Sequence, residues 1–190
     1  MNFNKLYPEK IILVTGASRS GKSEFAEVLA KNTDRSIIYI ATATVDKRDR
    51  AWQDRIAKHQ QRRPQNWQTI AICDAEISEY LGRASTAECL LIDSIGTWIA
   101  NFLDLEESKW LDISNDFLAS LQASKAKIII VSEETGWGVV PAYPMGRLFR
   151  DRLGHLSRQI ANVADRTYLV AGGHVLDLSL LGEPLSKYKI

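Results

Sequence analysis

The 190-residue sequence predicts an α/β fold, a mostly parallel central sheet with helices on both faces. Five short runs rich in Ile and Val recur along it: KIILVT at 10–15, SIIYIA at 36–41, ECLLID at 88–93, KIIIVS at 127–132 and RTYLVA at 166–171. Unbroken apolar runs of this length fit strands buried on both faces, which is the habit of parallel strands. Longer amphipathic segments lie between them, as crossover helices must. A compact glycine-containing turn, GASRSGKS, links the first run to the first of these segments.

Taken in order, residues 10–15 read as a buried strand and 21–31 as a helix. Residues 36–41 form a second strand. Residues 46–61 form a charged helix that must end before Pro64, because the residue preceding a proline avoids helical geometry. A short strand is expected at 67–72 and a core strand at 88–93. Helices follow at 95–105 and 108–124, then a strand at 127–132, a helix at 145–163 and a strand at 166–171. In such sheets ligands sit at the carboxyl ends of the strands, so the residues just after each strand carry the chemistry.

The size suits one domain spanning residues 1–190, with 1–9 as a short N-terminal extension. Twenty-four basic residues against 23 acidic ones give a net charge of +1, which argues against nucleic acid or an anionic membrane as the main partner. Cys73 and Cys89 are too far apart for a CxxC metal pair and read as reduced, packed thiols. The first ten residues lack the apolar core of a signal peptide, and no run approaches the ~20 apolar residues of a membrane span. A cytoplasmic protein is expected.

Gly16-Ala17-Ser18-Arg19-Ser20-Gly21-Lys22-Ser23 matches the complete Walker A pattern, between a strand and a helix as the pattern requires. The glycines let the backbone wrap closely, so that several N–H groups point at phosphate oxygens. The helix that follows presents its positive end. Lys22 neutralises the β and γ phosphates of a bound triphosphate, and Ser23 ligates Mg²⁺. Such a site needs an acid at the end of a neighbouring strand, and Asp93 ends ECLLID.

Other strand ends are also suggestive. Thr42, Ala43 and Thr44 follow the second strand with small side chains that permit close approach of a ligand, although a plain loop has the same composition. Glu133-Glu134-Thr135-Gly136-Trp137-Gly138 follows the strand at 127–132, and Glu134 is a candidate to activate a substrate hydroxyl or help hold metal; a solvent-facing acid is the alternative. His59 ends the charged helix beside Gln60, Gln61, Arg62 and Arg63. That basic surrounding suits phosphate and keeps more of the imidazole neutral and nucleophilic, while a surface histidine is the plainer reading. His155 and His174 read as structural or solvated.

These residues together resemble the bifunctional adenosylcobinamide kinase / adenosylcobinamide-phosphate guanylyltransferase family of cobalamin biosynthesis. The likeness runs from about residue 11 to 172. It covers LVTGASRSGKS, YIATA, RIAKHQQRRPQNWQT, LLIDSIGTWIANFL, VSEETGWGVVP and GRLFRDRLGHLSRQIANVAD. The Walker A loop is generic, whereas the HxxxRPxxW segment and the EETGWGVVP loop are specific.

The resemblance implies a RecA-like P-loop fold and a homo-oligomer, with a trimer as the expected assembly. It implies phosphorylation of the aminopropanol hydroxyl of adenosylcobinamide by ATP or GTP. It then implies transfer of GMP from GTP to the resulting phosphate through a guanylylated histidine, giving adenosylcobinamide-GDP and pyrophosphate. His59 matches that histidine. The nucleotide-contacting positions fall on Gly16 to Ser23, Thr42 to Thr44, Gln60 to Arg63, and Asp93. Three departures stand out, one of them a tail at 175–190 that is longer than the family's usual and has no assigned role. The family usually carries an acid two residues after the Thr of its W-x-T segment, associated with the guanosine nucleotide, where this chain has Ala71. The stretch 142–146 also lacks the usual Glu-Asn-rich continuation.

Two rival classes remain at the level of sequence. One is a kinase that has lost guanylyl transfer, motivated by Ala71. The other is a nucleotide switch or recombinase-like binding module, which the fold permits and the near-neutral charge disfavours.

Overall fold

The computed structural model describes residues 9–44 and 50–188, without the side chains of Ala51, Trp52, Arg55, Lys58 and His59. Seven strands form one sheet: β1 (Ile11–Gly16), β2 (Ser36–Ala41), β3 (Gln68–Ala71), β4 (Glu88–Asp93), β5 (Lys127–Glu133), β6 (Arg166–Ala171) and β7 (His174–Asp177). Their order is β3-β2-β4-β5-β1-β6-β7. All neighbours run parallel except β6 and β7, which form a hairpin around Gly172-Gly173. The α/β fold with a mostly parallel sheet is the predicted one. Strand β5 lies between the loop strand β1 and the acid-bearing strand β4, the RecA-like arrangement.

The helices are α1 (Lys22–Lys31), α2 (Arg50–Arg62), α3 (Glu76–Arg83), α4 (Ile95–Ala100), α5 (Glu107–Ala123), α6 (Pro144–Val163) and α7 (Leu178–Leu181). Every residue of β1 is buried. Its alternate side chains feed two cores, because successive side chains of a strand point to opposite faces. Ile12 and Val14 pack with Ala26 and Leu29 of α1. Ile11 and Leu13 pack with residues of α3, α4, α5 and α6. No described helix is long and apolar enough to cross a membrane.

The structure departs from expectation in three places. The predicted helix 95–105 stops at Ala100, where the Asn101 side chain turns back to donate to the Thr97 carbonyl at 3.1 Å. Arg152, 4% exposed, then fixes the following turn by donating to the carbonyls of Phe102 and Leu105. Helix α3 carries two fully buried apolar residues, Ile77 and Leu81, a stripe too short to stand out by periodicity. The tail after 172 adds β7 and α7 as an antiparallel edge on the parallel sheet.

The parallel register carries the ends of β1, β2, β4, β5 and β6 to one rim. Gly16 sits opposite Glu133 on one side and Val170 on the other. Ala41 sits opposite Asp93.

Candidate active site

The loop Gly16 to Ser23 leaves β1 and runs directly into α1. Gly16 is required by close approach: a Cβ there would lie 2.5 Å from the Val170 carbonyl oxygen and 2.6 Å from Ser20 Oγ. Arg19 and Gly21 adopt left-handed backbone conformations, φ 60° and 94°, which fold the loop back over the helix end. Lys22 and Ser23 are both buried. Lys22 Nζ donates to the Ala17 carbonyl across its own loop at 3.3 Å, a long bond that leaves two further N–H groups for a ligand.

Asp93 meets this loop from the end of β4. Its Oδ1 accepts from Ser23 Oγ at 3.4 Å, and its Oδ2 accepts from the Tyr39 hydroxyl at 2.7 Å. Burial, reinforced by the Asp93 charge, pushes the Tyr39 pKa far up, so the phenol remains a donor. A serine hydroxyl and one carboxylate facing the same space are hard oxygen donors. They suit Mg²⁺, which takes one or two protein ligands beside phosphate oxygens. Among the described residues no cluster of three or more His, Cys, Asp or Glu is placed to hold a metal by itself.

The turn from β4 into α4 is built from hydroxyls. Ser94 caps α4 in a reciprocal capping box with Thr97. Thr42, fully buried, donates to the Ser94 carbonyl at 2.7 Å and accepts from the Ser94 N–H at 2.9 Å. Glu133 completes the junction: Oε1 accepts from Ser94 Oγ at 2.5 Å and Oε2 from the Gly96 N–H at 2.9 Å. A Cβ on Gly96 would lie 2.9 Å from Glu133 Cδ, so this carboxylate reaches the helix end only because residue 96 is glycine.

Two depressions flank Lys22 and Glu133. The first, of about 180 Å³, is walled by Lys22, Ser23, Asp93, Gln60, Arg63 and Ala71, with Tyr39 and Thr69 beside them. The second, of about 380 Å³, is walled by Ser18, Lys22, Ala43, Thr44, Asn101 and Glu133. The structure thus gathers Ser23, Gln60, Arg63 and Asp93 around the first depression and Ser18 and Thr44 around the second, with Lys22 and Ala43 lining both. The Arg63 guanidinium stacks 3.4 Å over the Tyr39 ring, which fixes it against the cavity wall.

Other expected residues are placed differently. Arg62 pairs with Glu24 and Glu27 of α1, which anchors the end of α2. Gln61 is exposed and lines neither depression. Thr42 lies beneath the site, its hydroxyl engaged by Ser94. His59 belongs to α2, but its side chain lies outside the described residues. Glu134 points away from Lys22: it accepts from Thr15 Oγ1 at 2.8 Å and borders a separate groove on the far side of the loop.

Glu133, Tyr39, Ser94, Thr97 and Asn101 were not among the expected site residues. The Ser94-x-x-Thr97 spacing after a strand is a helix-start signal that marks this turn. Strand alternation distinguishes Glu133 from Glu134 only once the sheet face is known.

A family profile described as cobinamide kinase / cobinamide phosphate guanyltransferase matches residues 12–178. The bifunctional adenosylcobalamin biosynthesis protein CobP of Pseudomonas aeruginosa is 38% identical over 175 residues, covering 91% of this chain and 98% of that protein. The bifunctional adenosylcobalamin biosynthesis protein CobU of Escherichia coli is 31% identical, covering 86% and 96%. Among solved structures, a Pyrococcus horikoshii protein from a structural study of PH0250 superposes with a TM-score of 0.58 at 7% identity, covering 94% and 92%. An ATPase from a bacterial type III secretion system does so with 0.50 at 12% identity, covering 90% and 53%. These last two likenesses concern the fold alone. By profile and relatives together, the chain belongs to the cobinamide kinase / cobinamide phosphate guanyltransferase family.

Proposed function

We propose that this chain phosphorylates the aminopropanol hydroxyl of adenosylcobinamide with ATP or GTP and then transfers GMP from GTP to the phosphate it has made. The observation that carries this reading is a shared cavity. Lys22, Ser23 and Asp93 wall it on one side, and Gln60 of the His59-bearing helix walls it on the other. One bound triphosphate is then open to attack at two phosphorus atoms.

In the first reaction the acceptor oxygen attacks the γ phosphorus and the bond to the β-phosphate oxygen breaks. The proton passes to a carboxylate, for which Glu134 is the candidate from the acceptor's side, since Thr15 holds it in the groove behind the loop and not against Lys22. Lys22 and the backbone of Gly16 to Gly21 hold the phosphates, and Arg63, Ala43 and Thr44 border the nucleotide. Ser23 and Asp93 would hold Mg²⁺, which offsets the phosphate charge. In the second reaction a His59 ring nitrogen attacks the α phosphorus of GTP and pyrophosphate departs. An oxygen of adenosylcobinamide phosphate then attacks the same phosphorus, the P–N bond breaks and the histidine is regenerated.

Incubation with α-labelled GTP tests this. An acid-labile protein label is expected on the wild type and none on His59→Ala. A label that survives in His59→Ala refutes the histidine assignment.

A second reading, kinase activity alone, is favoured by one observation: Ala71 lines the cavity, at the position where the family resemblance implies an acid associated with the guanosine nucleotide. No label on the wild type, with phosphorylation intact, selects it. A cytoplasmic homo-oligomer, with the trimer of the resemblance, is part of the proposal. Exposed Trp137, Val139 and Val140 on one loop and Leu180 and Leu181 on the tail support self-association, which light scattering measures.

A further inference from the structure

We propose that the groove between α6 and strands β1 and β6 seats the phosphoryl acceptor, first as the hydroxyl-bearing arm of a carboxamide-rich macrocycle and then as its phosphate monoester. This rests on the kinase and guanylyltransferase reading above and names the acceptor's side of that site.

Position is the first argument. The groove holds about 250 Å³ and runs from Thr167 at the start of β6 to Thr15 and Glu133 to Gly136 at the carboxyl ends of β1 and β5, where ligands of such sheets bind. The segment Glu133 to Thr135 is a party wall. Glu133 borders the groove and both depressions beside Lys22, and Thr135 borders the groove and the second depression. A ligand lying in the groove therefore has its inner end against the wall that also bounds the phosphate site.

Chemistry is the second argument. Leu13, Leu153 and Ala161 give the groove an apolar floor, and Arg150, Arg158 and Glu134 give it charged edges. Arg150 is already oriented, since its Nη2 donates to the Gly136 carbonyl at 2.9 Å. Arg158 is exposed and makes no hydrogen bond or ion pair with the described residues. Two guanidiniums match a phosphate monoester in charge and in hydrogen-bond geometry. Thr15 holds one oxygen of Glu134 in place, and the carboxylate has lone pairs left to accept from a hydroxyl or a carboxamide.

Openness is the third argument. Gly154 lies within the 20-residue helix α6 and lines the groove, yet a Cβ added there meets nothing within 4 Å. Glycine in a helix interior is less favourable than alanine. Residue 154 thus keeps the groove wide at a cost to the helix that packing does not explain.

The same position supplies the test. Gly154→Leu fills the groove without a backbone clash and with better helix propensity, so thermal unfolding should hold or improve. Steady-state kinetics with adenosylcobinamide should show an acceptor KM raised about tenfold or more, with the KM for nucleotide unchanged. Arg158→Ala should weaken binding of adenosylcobinamide phosphate about tenfold, because a charge-assisted contact is lost, and should change the KM for adenosylcobinamide less. If the wild type phosphorylates adenosylcobinamide but both variants keep wild-type acceptor constants, the groove is not the seat and the functional reading stands. If the wild type neither binds nor phosphorylates adenosylcobinamide, the functional reading fails and this assignment with it.

Discussion

The Tyr39 hydroxyl donates a 2.7 Å hydrogen bond to Asp93 Oδ2, which turns Asp93 Oδ1 toward Ser23. The phenol sits behind the carboxylate and sets its direction. Tyr39→Phe removes this support while keeping the ring that packs under Arg63. The expected result is about a tenfold higher Mg²⁺ requirement for phosphorylation, with about 1 kcal/mol of lost stability. Activity titrated against Mg²⁺, alongside nucleotide binding in EDTA, separates the two effects. An unchanged Mg²⁺ dependence rules out Tyr39 as a positioning residue.

Lys22 Nζ rests on its own loop and borders both depressions, so one ammonium serves whichever phosphorus is attacked. Lys22→Ala is expected to reduce phosphorylation and guanylyl transfer together, each by at least about a hundredfold. Loss of phosphorylation with guanylyl transfer intact requires a second nucleotide site.

Much of this arrangement was legible in the sequence, and the reason is local. The strand β1, the loop Gly16 to Ser23 and the acid Asp93 are each signalled by contiguous residues whose spacing is dictated by phosphate geometry. What escaped the sequence depends on long-range placement. Thr42 reads as a ligand contact in a linear view, but the pairing of β2 with β4 buries it against Ser94. Arg62 reads as a phosphate ligand beside Arg63, but the end of α2 turns it onto Glu24 and Glu27. The Glu133–Glu134 pair is ambiguous because neighbours on a strand face opposite ways, and only the packed sheet assigns one to the Lys22 side. Helix α4 ends early because Asn101 caps it through the Thr97 carbonyl and Arg152, far along the chain, takes the carbonyls of Phe102 and Leu105.

Gly96 and Glu133 form a coupled pair, since the carboxylate occupies the space a side chain at 96 would need. Gly96→Ala is expected to displace Glu133, break its bonds to Ser94 and the Gly96 N–H, and cost about 1–3 kcal/mol. Adding Glu133→Ala removes the clash, so the double variant should be more stable than the sum of the singles predicts. Urea unfolding of the four proteins measures the coupling. Additive losses mean that the contact does not set the junction.

Glu27 gives the fold a pH dependence of its own. It is 4% exposed on α1, and burial pushes its pKa up, with Asp93 and Glu24 adding to the rise and Arg62 and Lys31 opposing it. The native state therefore holds a proton on Glu27 at pH values where the unfolded chain has released it. A raised carboxyl pKa contributes stability below the unfolded value, and that contribution is lost as pH climbs through the folded value. Glu27→Gln stays neutral and can still accept from Arg62 through its carbonyl oxygen. Its stability relative to the wild type should rise from acid toward neutral pH, across the window between the ordinary glutamate pKa and the raised one. Urea midpoints collected from about pH 4, near the ordinary glutamate pKa, upward to neutral pH read this directly. A difference that falls with pH instead would mean that the Arg62 ion pair outweighs burial and holds Glu27 ionised.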